Sequence, residues 1–245
     1  MAGLVAEADG SYLVDDRVIT MPVEVRSARQ AASTFIVDHS AAQRVIDHTG
    51  LRAARKANKA IASLALVDYL DNDLDTYFEL ALAFVIDDPA VAPTAPKGAV
   101  STLIHRLPVS EKFTCSAGKG IWGFPKWIAD LKVSFDSLGA SCVLRDGDIE
   151  IVRVTMKRGF VPLPRKPMEM VAYSCDDDGV VRRTPWVTTG DGRQKVRLGG
   201  AKVEVGYGHP LADELRTLGL PRRAAMTFFD DHMRATFQAP QIIEV

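Results

Sequence analysis

The chain is short of the residues that announce several common functions. Cysteine is scarce and odd in number: Cys115, Cys142 and Cys175 are the only three, and no two stand in C-x-x-C spacing. That excludes a disulfide scaffold as the organising device and fits a reduced, cytoplasmic setting. Five histidines (His39, His48, His105, His209, His232) offer no pair at metal-ligand spacing, so no metal is expected. An excess of one charge is also missing, with 30 Lys and Arg against 31 Asp and Glu. Nucleic acid and anionic membrane both reward a basic face, so neither is expected as a partner. The longest apolar-leaning stretches, at 61–70 and 80–86, are too short and interrupted to span a bilayer. The first residues lack the basic region and apolar run of a signal peptide. There is no Gly-x-Ser-x-Gly elbow, and no cysteine has an adjacent histidine to activate it.

What the chain does have is an ordinary globular balance, 47% hydrophobic and 25% charged over 245 residues. No linker, low-complexity stretch or fixed-period repeat divides it, so residues 1–245 read as one domain. Strand and hairpin signals dominate. Asp15-Asp16 turns a hairpin within 11–22, and 23–26 and 34–37 read as strand. Ser40 is placed to cap a short helix over 41–46 that stops before Gly50. Further strands are expected at 61–69, 76–86, 100–107, 113–117 and 127–135, with a Pro- and Ala-rich loop at 87–97. Asp146-Gly147-Asp148 and Asp176-Asp177-Asp178-Gly179 are hairpin turns. Residues 195–205 read as one strand bent at Gly199-Gly200. Residues 210–218 form an amphipathic helix closed by Gly219, and 224–237 a long last strand. The sum is an α+β chain that is mostly antiparallel β, a sheet or barrel-like body with a few short helices.

The clearest strand carries two distinct faces. Phe78, Leu80, Leu82, Phe84 and Ile86 fall on one side, as period two requires, and belong in a core. Tyr77, Glu79, Ala81, Ala83 and Val85 fall on the other, which is smaller and carries one acid. Glu79 there either points into a cavity or faces water on a half-exposed strand. The preceding acidic turn, Asp71 to Asp75, has the spacing of a calcium loop, but Thr76 stands where that loop needs Gly and Leu82 where it needs Glu. A solvated turn is the better account.

The densest stretch is Gly118-Lys119-Gly120-Ile121-Trp122-Gly123-Phe124-Pro125-Lys126-Trp127. Gly118-x-Gly120-x-x-Gly123 matches the dinucleotide fingerprint in letters. The surroundings are hairpins rather than βαβ units, and Trp122 brings bulk where a pyrophosphate needs close backbone approach. Lys126 stands between Pro125 and Trp127, with Phe124 and Trp122 near. Burial among aromatic rings lowers an amine's pKa, and a neutral lysine attacks carbonyl carbon. The plainer alternative is a tight turn with a surface lysine and core tryptophans.

Gly118-Lys119-x4-Phe124-Pro125-Lys126 resembles the Gly-Arg-x4-Tyr-Pro-Lys segment of the acetoacetate decarboxylase family, whose lysine after the proline forms a Schiff base with a keto acid. Tyr77-Phe78-Glu79 is similar to a family strand that carries an acid at the site. Arg26, in Val23-Glu24-Val25-Arg26, resembles an N-terminal arginine that holds the substrate carboxylate, with Arg29 as a competing alignment. Leu218-Gly219-Leu220-Pro221 and the final strand also look similar to relatives. The resemblance implies a cone-like antiparallel β-barrel, a homo-oligomer (dimer or tetramer), a small oxo acid as substrate and no cofactor. It makes Lys126 and Glu79 catalytic and assigns substrate binding to Arg26 or Arg29, Trp122, Phe124 and Tyr77. Two departures matter. Trp127 replaces a second lysine that follows the reactive one in decarboxylases, so any depression of the Lys126 pKa must come from burial. Residues 62–66 lack the second glutamate of decarboxylases. These departures turn the expectation toward a pyruvate-type aldolase-dehydratase or hydratase. A decarboxylase and a non-catalytic small-molecule-binding barrel are the alternatives.

Overall fold

The structure is a computed structural model that describes residues 4–89, 100–164, 166–190, 193–220 and 222–245. Most of the 87–97 loop, and Pro221, lie outside the described residues. The chain opens with a hairpin of β1 (Tyr12–Val14) and β2 (Arg17–Ile19), turned by Asp15 and Asp16 at φ of 43° and 62°. Aspartate is among the few residues that tolerate this left-handed region. The two runs at 23–26 and 34–37 are one 16-residue strand, β3 (Val23–Asp38). Helix α1 (His39–Ile46) follows, capped by Asp38 rather than Ser40: its side chain accepts from the Ala41 N–H at 3.1 Å.

Next come β4 (Arg52–Ala53), β5 (Lys59–Asn72), β6 (Tyr77–Asp87) and β7 (Val100–Val109). The strand expected at 113–117 is instead part of helix α2 (Lys112–Trp122). Thr114, Ala117, Gly118 and Ile121 are all buried, and their i, i+3, i+4, i+7 spacing is helical, a period the short alternating window conceals. The chain continues with β8 (Lys126–Ile128), β9 (Asp130–Phe135), β10 (Gly139–Asp146), β11 (Ile149–Lys157), β12 (Val161–Pro164), β13 (Met168–Cys175) and β14 (Val181–Gly190). Gly199 and Gly200, both at positive φ, do more than bend a strand. They separate β15 (Arg193–Leu198) from β16 (Ala201–Val205), which join different sheets. Helix α3 (Pro210–Thr217), β17 (Met226–Phe237) and β18 (Gln241–Ile243) end the chain.

Strand pairing runs β17-β3-β5-β6-β7-β13-β14, and β14 pairs back onto β17. That ring is a closed barrel, which removes exposed sheet edges. Its pairings are antiparallel except β7–β13. β13 takes only the first half of β7; the second half, from Leu107 to Val109, pairs in parallel with β8. The expected mostly antiparallel α+β fold is therefore the observed one.

The barrel wall has two apolar faces, as β6 shows. Leu80, Leu82, Phe84 and Ile86 join the outer cluster with Phe35, Leu64, Leu66 and Leu103. The four-stranded sheet β16-β11-β10-β9 contributes Cys142, Leu144, Val154 and Met156 to that cluster, and α1 and α3 contribute Ile46 and Leu215. Tyr77 and Ala81 face the inner cluster with Val25, Ala28, Val67, Tyr69 and Ala235. Helix α2 and the first hairpin fill this interior with Ile121, Trp122, Tyr12 and Ile19. Among the described residues, no helix is long and apolar enough to cross a membrane.

Candidate active site

The inner face collects one amine, one acid and several hydroxyls. Lys126 begins β8 in register with Leu107 of β7, and its side chain runs inward. It is 4% exposed. Its Nζ lies 3.1 Å from Glu79 Oε2 and donates to Thr114 Oγ1 at 3.0 Å and to the Tyr77 hydroxyl at 3.5 Å. Glu79 is buried as well, so the open question about its face resolves inward. The Tyr69 hydroxyl donates to Glu79 Oε1 at 3.3 Å. Tyr69 and Tyr77 are directly paired across β5 and β6, and their rings stack at 4.3 Å. Nζ also lies 4.7 Å from the centre of the Tyr77 ring, within cation–π reach.

The three glycines that mimic a nucleotide fingerprint serve this amine and the helix that covers it. Gly118 sits one turn after Thr114 on the same face of α2. A Cβ there would lie 2.5 Å from Lys126 Cδ and 2.7 Å from Cε, so only glycine lets the lysine stem pass. Gly120 makes a similar close approach to Leu4. Gly123 ends the helix at φ 63°, with its N–H on the Lys119 carbonyl and the Phe124 N–H on the Gly118 carbonyl. The Gly123–Lys119 bond is an αL closure, which needs a left-handed residue at this position. It reverses the chain so that Pro125 and Lys126 fold back against the helix.

Electrostatics differ from the burial-only expectation. Burial pushes the Lys126 pKa down, but Tyr77 and the Glu79 carboxylate push it up, and the net lies above the ordinary lysine value. With Nζ 3.1 Å from Glu79 Oε2, the contact has the geometry of an ammonium held in an ion pair. Burial, reinforced by the Glu79 charge, raises Tyr69 well above the usual phenol range. Burial likewise raises Tyr77, partly opposed by Lys126. Both tyrosines thus remain neutral donors at physiological pH.

The other expected site residues divide. Trp122 and Phe124 belong to the inner cluster, their rings stacked at 5.9 Å. Trp127 points the other way, as the residue after an inward lysine on a strand must, and packs against the outer cluster. The arginines are not brought to the amine. Arg26 is half exposed, with Nε 2.9 Å from Asp71 and Nη1 2.5 Å from Asp73. Arg29 pairs with the buried Asp68 and lies over Phe135, on the outer side of the barrel. A β-bulge at Ser27 sets this: it leaves Ala28, opposite Tyr69, facing inward. Sequence reasoning missed Tyr69, Thr114 and the role of Gly118. The period-two pattern of β5 held the signal for Tyr69, since it shares a face with Val67 and Ala65.

Comparison with known proteins follows the same lines. The family model described as acetoacetate decarboxylase (ADC) matches residues 17–238. No curated protein matches by sequence. Among solved structures, the chain is similar to the acetoacetate decarboxylase of Legionella pneumophila (TM-score 0.65, 17% identity, covering 91% of this chain and 87% of that one). It is also similar to the enduracididine biosynthesis enzyme MppR complexed with pyruvate (TM-score 0.67, 12% identity, 99% of each chain). A third is an acetoacetate decarboxylase-like enzyme from Sphingomonas wittichii RW1 (TM-score 0.59, 13% identity, 99% of each chain). At these identities the structural likeness carries the fold.

Proposed function

The chain belongs to the acetoacetate decarboxylase family, and from that premise we propose that Lys126 forms a Schiff base with a small, pyruvate-type oxo acid, in an aldolase-dehydratase or hydratase reaction. The observation that carries this reading is the buried Lys126–Glu79 pair at 3.1 Å. The MppR structure with bound pyruvate is consistent with that substrate class.

The chemistry follows from the contacts. A proton passes from Nζ to Glu79, leaving a neutral amine and a carboxylic acid. The amine attacks the ketone carbon, and Glu79 returns the proton to the departing hydroxyl, so that water leaves and an iminium forms. The iminium draws electrons from the adjacent carbon. The regenerated Glu79 carboxylate takes a proton from that carbon, giving an enamine. Addition of the enamine to an aldehyde requires a proton for the new alkoxide, and Tyr77 and Tyr69 are the neutral donors at hand. Trp122 and Phe124 keep the interior dry. With Arg26 and Arg29 engaged elsewhere, the carboxylate of the oxo acid is bound by neutral donors of the inner face.

Borohydride reduction in the presence of pyruvate tests the reading. The expected result is a covalent adduct on Lys126 that is absent in Lys126→Ala. A folded protein that gives no adduct with any oxo acid is instead a non-catalytic binding barrel. The family's own decarboxylation is separated by CO2 release from acetoacetate, which the aldolase-type reading predicts to be slow beside condensation with an aldehyde. A homo-oligomer goes with this reading and is measured by light scattering.

A further inference from the structure

Near the seam that closes the barrel, two buried donors have nothing to donate to among the described residues. Thr184 and Trp186 stand two residues apart on β14 and so share one face. That face is the inner one: Thr184 pairs with Ala172 and Trp186 with Phe237; Ala172 belongs to the inner cluster, and Trp186 and Phe237 are partly buried against it. Thr184 is 0% exposed and its Oγ1 has no partner among the described residues; Trp186 Nε1 is also buried without one there. Neighbouring polar groups on the same interior are satisfied. Trp122 Nε1 donates to the Gln238 carbonyl at 3.0 Å, and the Ser174 hydroxyl to the Trp122 carbonyl at 2.5 Å. Buried donors without acceptors are destabilising and rare in folded proteins, so a pair on one face calls for an acceptor that arrives from outside the chain.

Between these donors and the amine the inner face carries a row of rings. Trp186 stacks on Phe237 at 5.0 Å with 4° between planes, and Phe237 meets the edge of Trp122 at 6.4 Å. Trp122 in turn stacks on Phe124, two residues before Lys126. We propose that the inner face of β14 is a subsite for the far end of the substrate: a flat, aromatic or conjugated group bearing an oxygen acceptor. The acceptor takes the Thr184 hydroxyl and the Trp186 N–H, while the flat body lies along the aromatic row and its carbonyl reaches Lys126. This rests on the Lys126 chemistry proposed above.

Benzaldehyde and 4-formylbenzoate share a ring and an aldehyde, and differ by an acceptor carboxylate at the far end. Borohydride trapping on Lys126 is measured against the concentration of each, in the wild type, Thr184→Val and Trp186→Phe. The wild type is expected to half-saturate with 4-formylbenzoate at about tenfold lower concentration than with benzaldehyde. Each variant is expected to cut that ratio by about fivefold, the usual scale of one buried hydrogen bond. The melting temperature of Thr184→Val is expected to hold or rise, because the removed donor had no partner. A wild-type ratio near one, or a ratio that survives both substitutions, overturns the proposal and leaves the donors a water site only. A fall in melting temperature with an unchanged ratio marks packing residues and overturns it too. Should the wild type trap neither aldehyde nor pyruvate, the Lys126 reading fails separately. Calorimetric binding of terephthalate then decides the subsite, and equal affinity in the wild type and Thr184→Val overturns it.

Discussion

Replacing Glu79 by glutamine keeps the shape of the site and removes the charge 3.1 Å from the buried ammonium. Lys126 then has two courses. It stays charged, at the about 3–5 kcal/mol that breaking a buried pair costs. Or it loses its proton, at about 1.36 kcal/mol for each unit between the pH and the ordinary lysine value of about 10.4, which is about 4.6 kcal/mol at pH 7 and about 1.9 kcal/mol at pH 9. The second course becomes the cheaper one as pH rises. In the wild type the Lys126 pKa is raised, so its stabilising contribution is complete below the ordinary lysine value and is lost only as pH climbs through the folded value. The wild type thus gains no slope from this residue between pH 7 and 9. In Glu79→Gln the amine is neutral when folded and charged when unfolded, so stability rises by about 1.36 kcal/mol per pH unit relative to wild type.

Denaturant unfolding at pH 7, 8 and 9 reads this directly. The variant is expected about 3–5 kcal/mol below wild type at pH 7 and about 2 kcal/mol below it at pH 9. Lys126→Met in the Glu79→Gln background removes the slope, because no titrating amine remains. A variant as stable as wild type at pH 7, with a parallel curve up to pH 9, would refute the ion pair. The kinetic counterpart separates two roles: Glu79→Gln still traps pyruvate, while deuterium exchange into its methyl group falls about 10²–10⁴-fold with the loss of the base.

Three further outcomes follow from the same contacts. Gly118→Ala gains about 1 kcal/mol of helix propensity but adds a methyl 2.5 Å from Lys126 Cδ, an overpacking cost of about 1–3 kcal/mol; borohydride trapping is expected to fall steeply while thermal stability changes by no more than about 2 kcal/mol. Tyr69→Phe removes the hydrogen bond to Glu79 Oε1 and is expected to lower stability by about 1 kcal/mol and to slow methyl exchange more than adduct formation, as measured by NMR and mass spectrometry. Arg26→Ala leaves the half-saturating pyruvate concentration in trapping within about twofold, since Arg26 is held at the surface by Asp71 and Asp73; a rise of tenfold or more would return the carboxylate to it.

What was legible in the chain depended on range. Features with a short period came through: the two faces of β6, the hairpin turns at Asp15-Asp16 and Asp146-Gly147-Asp148, and the long last strand all follow from alternation and turn chemistry over a few residues. The Phe124-Pro125-Lys126 segment pointed to the amine, and period two put Glu79 on the side that turned out to be inward. Features that depend on register between distant strands did not come through. The bulge near Ser27 decides that Ala28 and not Arg29 faces the interior, and no local pattern around it marks the slip. Thr114 and Gly118 look like strand residues until their spacing is judged over a full helical turn, and Gly118 gains its meaning only from Lys126 lying against it.

The same contrast bears on how the amine becomes reactive. A sequence that puts a lysine among tryptophans suggests that burial alone strips its charge. The folded chain sends Trp127 to the outer core and supplies Glu79, Tyr77 and Thr114 instead, so burial and ion pairing oppose each other at Nζ. An ammonium stabilised this way is unreactive until its proton has somewhere to go, and the acceptor at 3.1 Å is the residue that later serves as base. Storing the proton on Glu79 links the two steps: the group that frees the nucleophile is the group that, once it has given the proton back, removes one from the adjacent carbon. In a site activated by burial alone the amine would be neutral without Glu79 and would lack that coupling. Glu79→Gln should therefore slow adduct formation and slow exchange further still, whereas Lys126→Ala abolishes both.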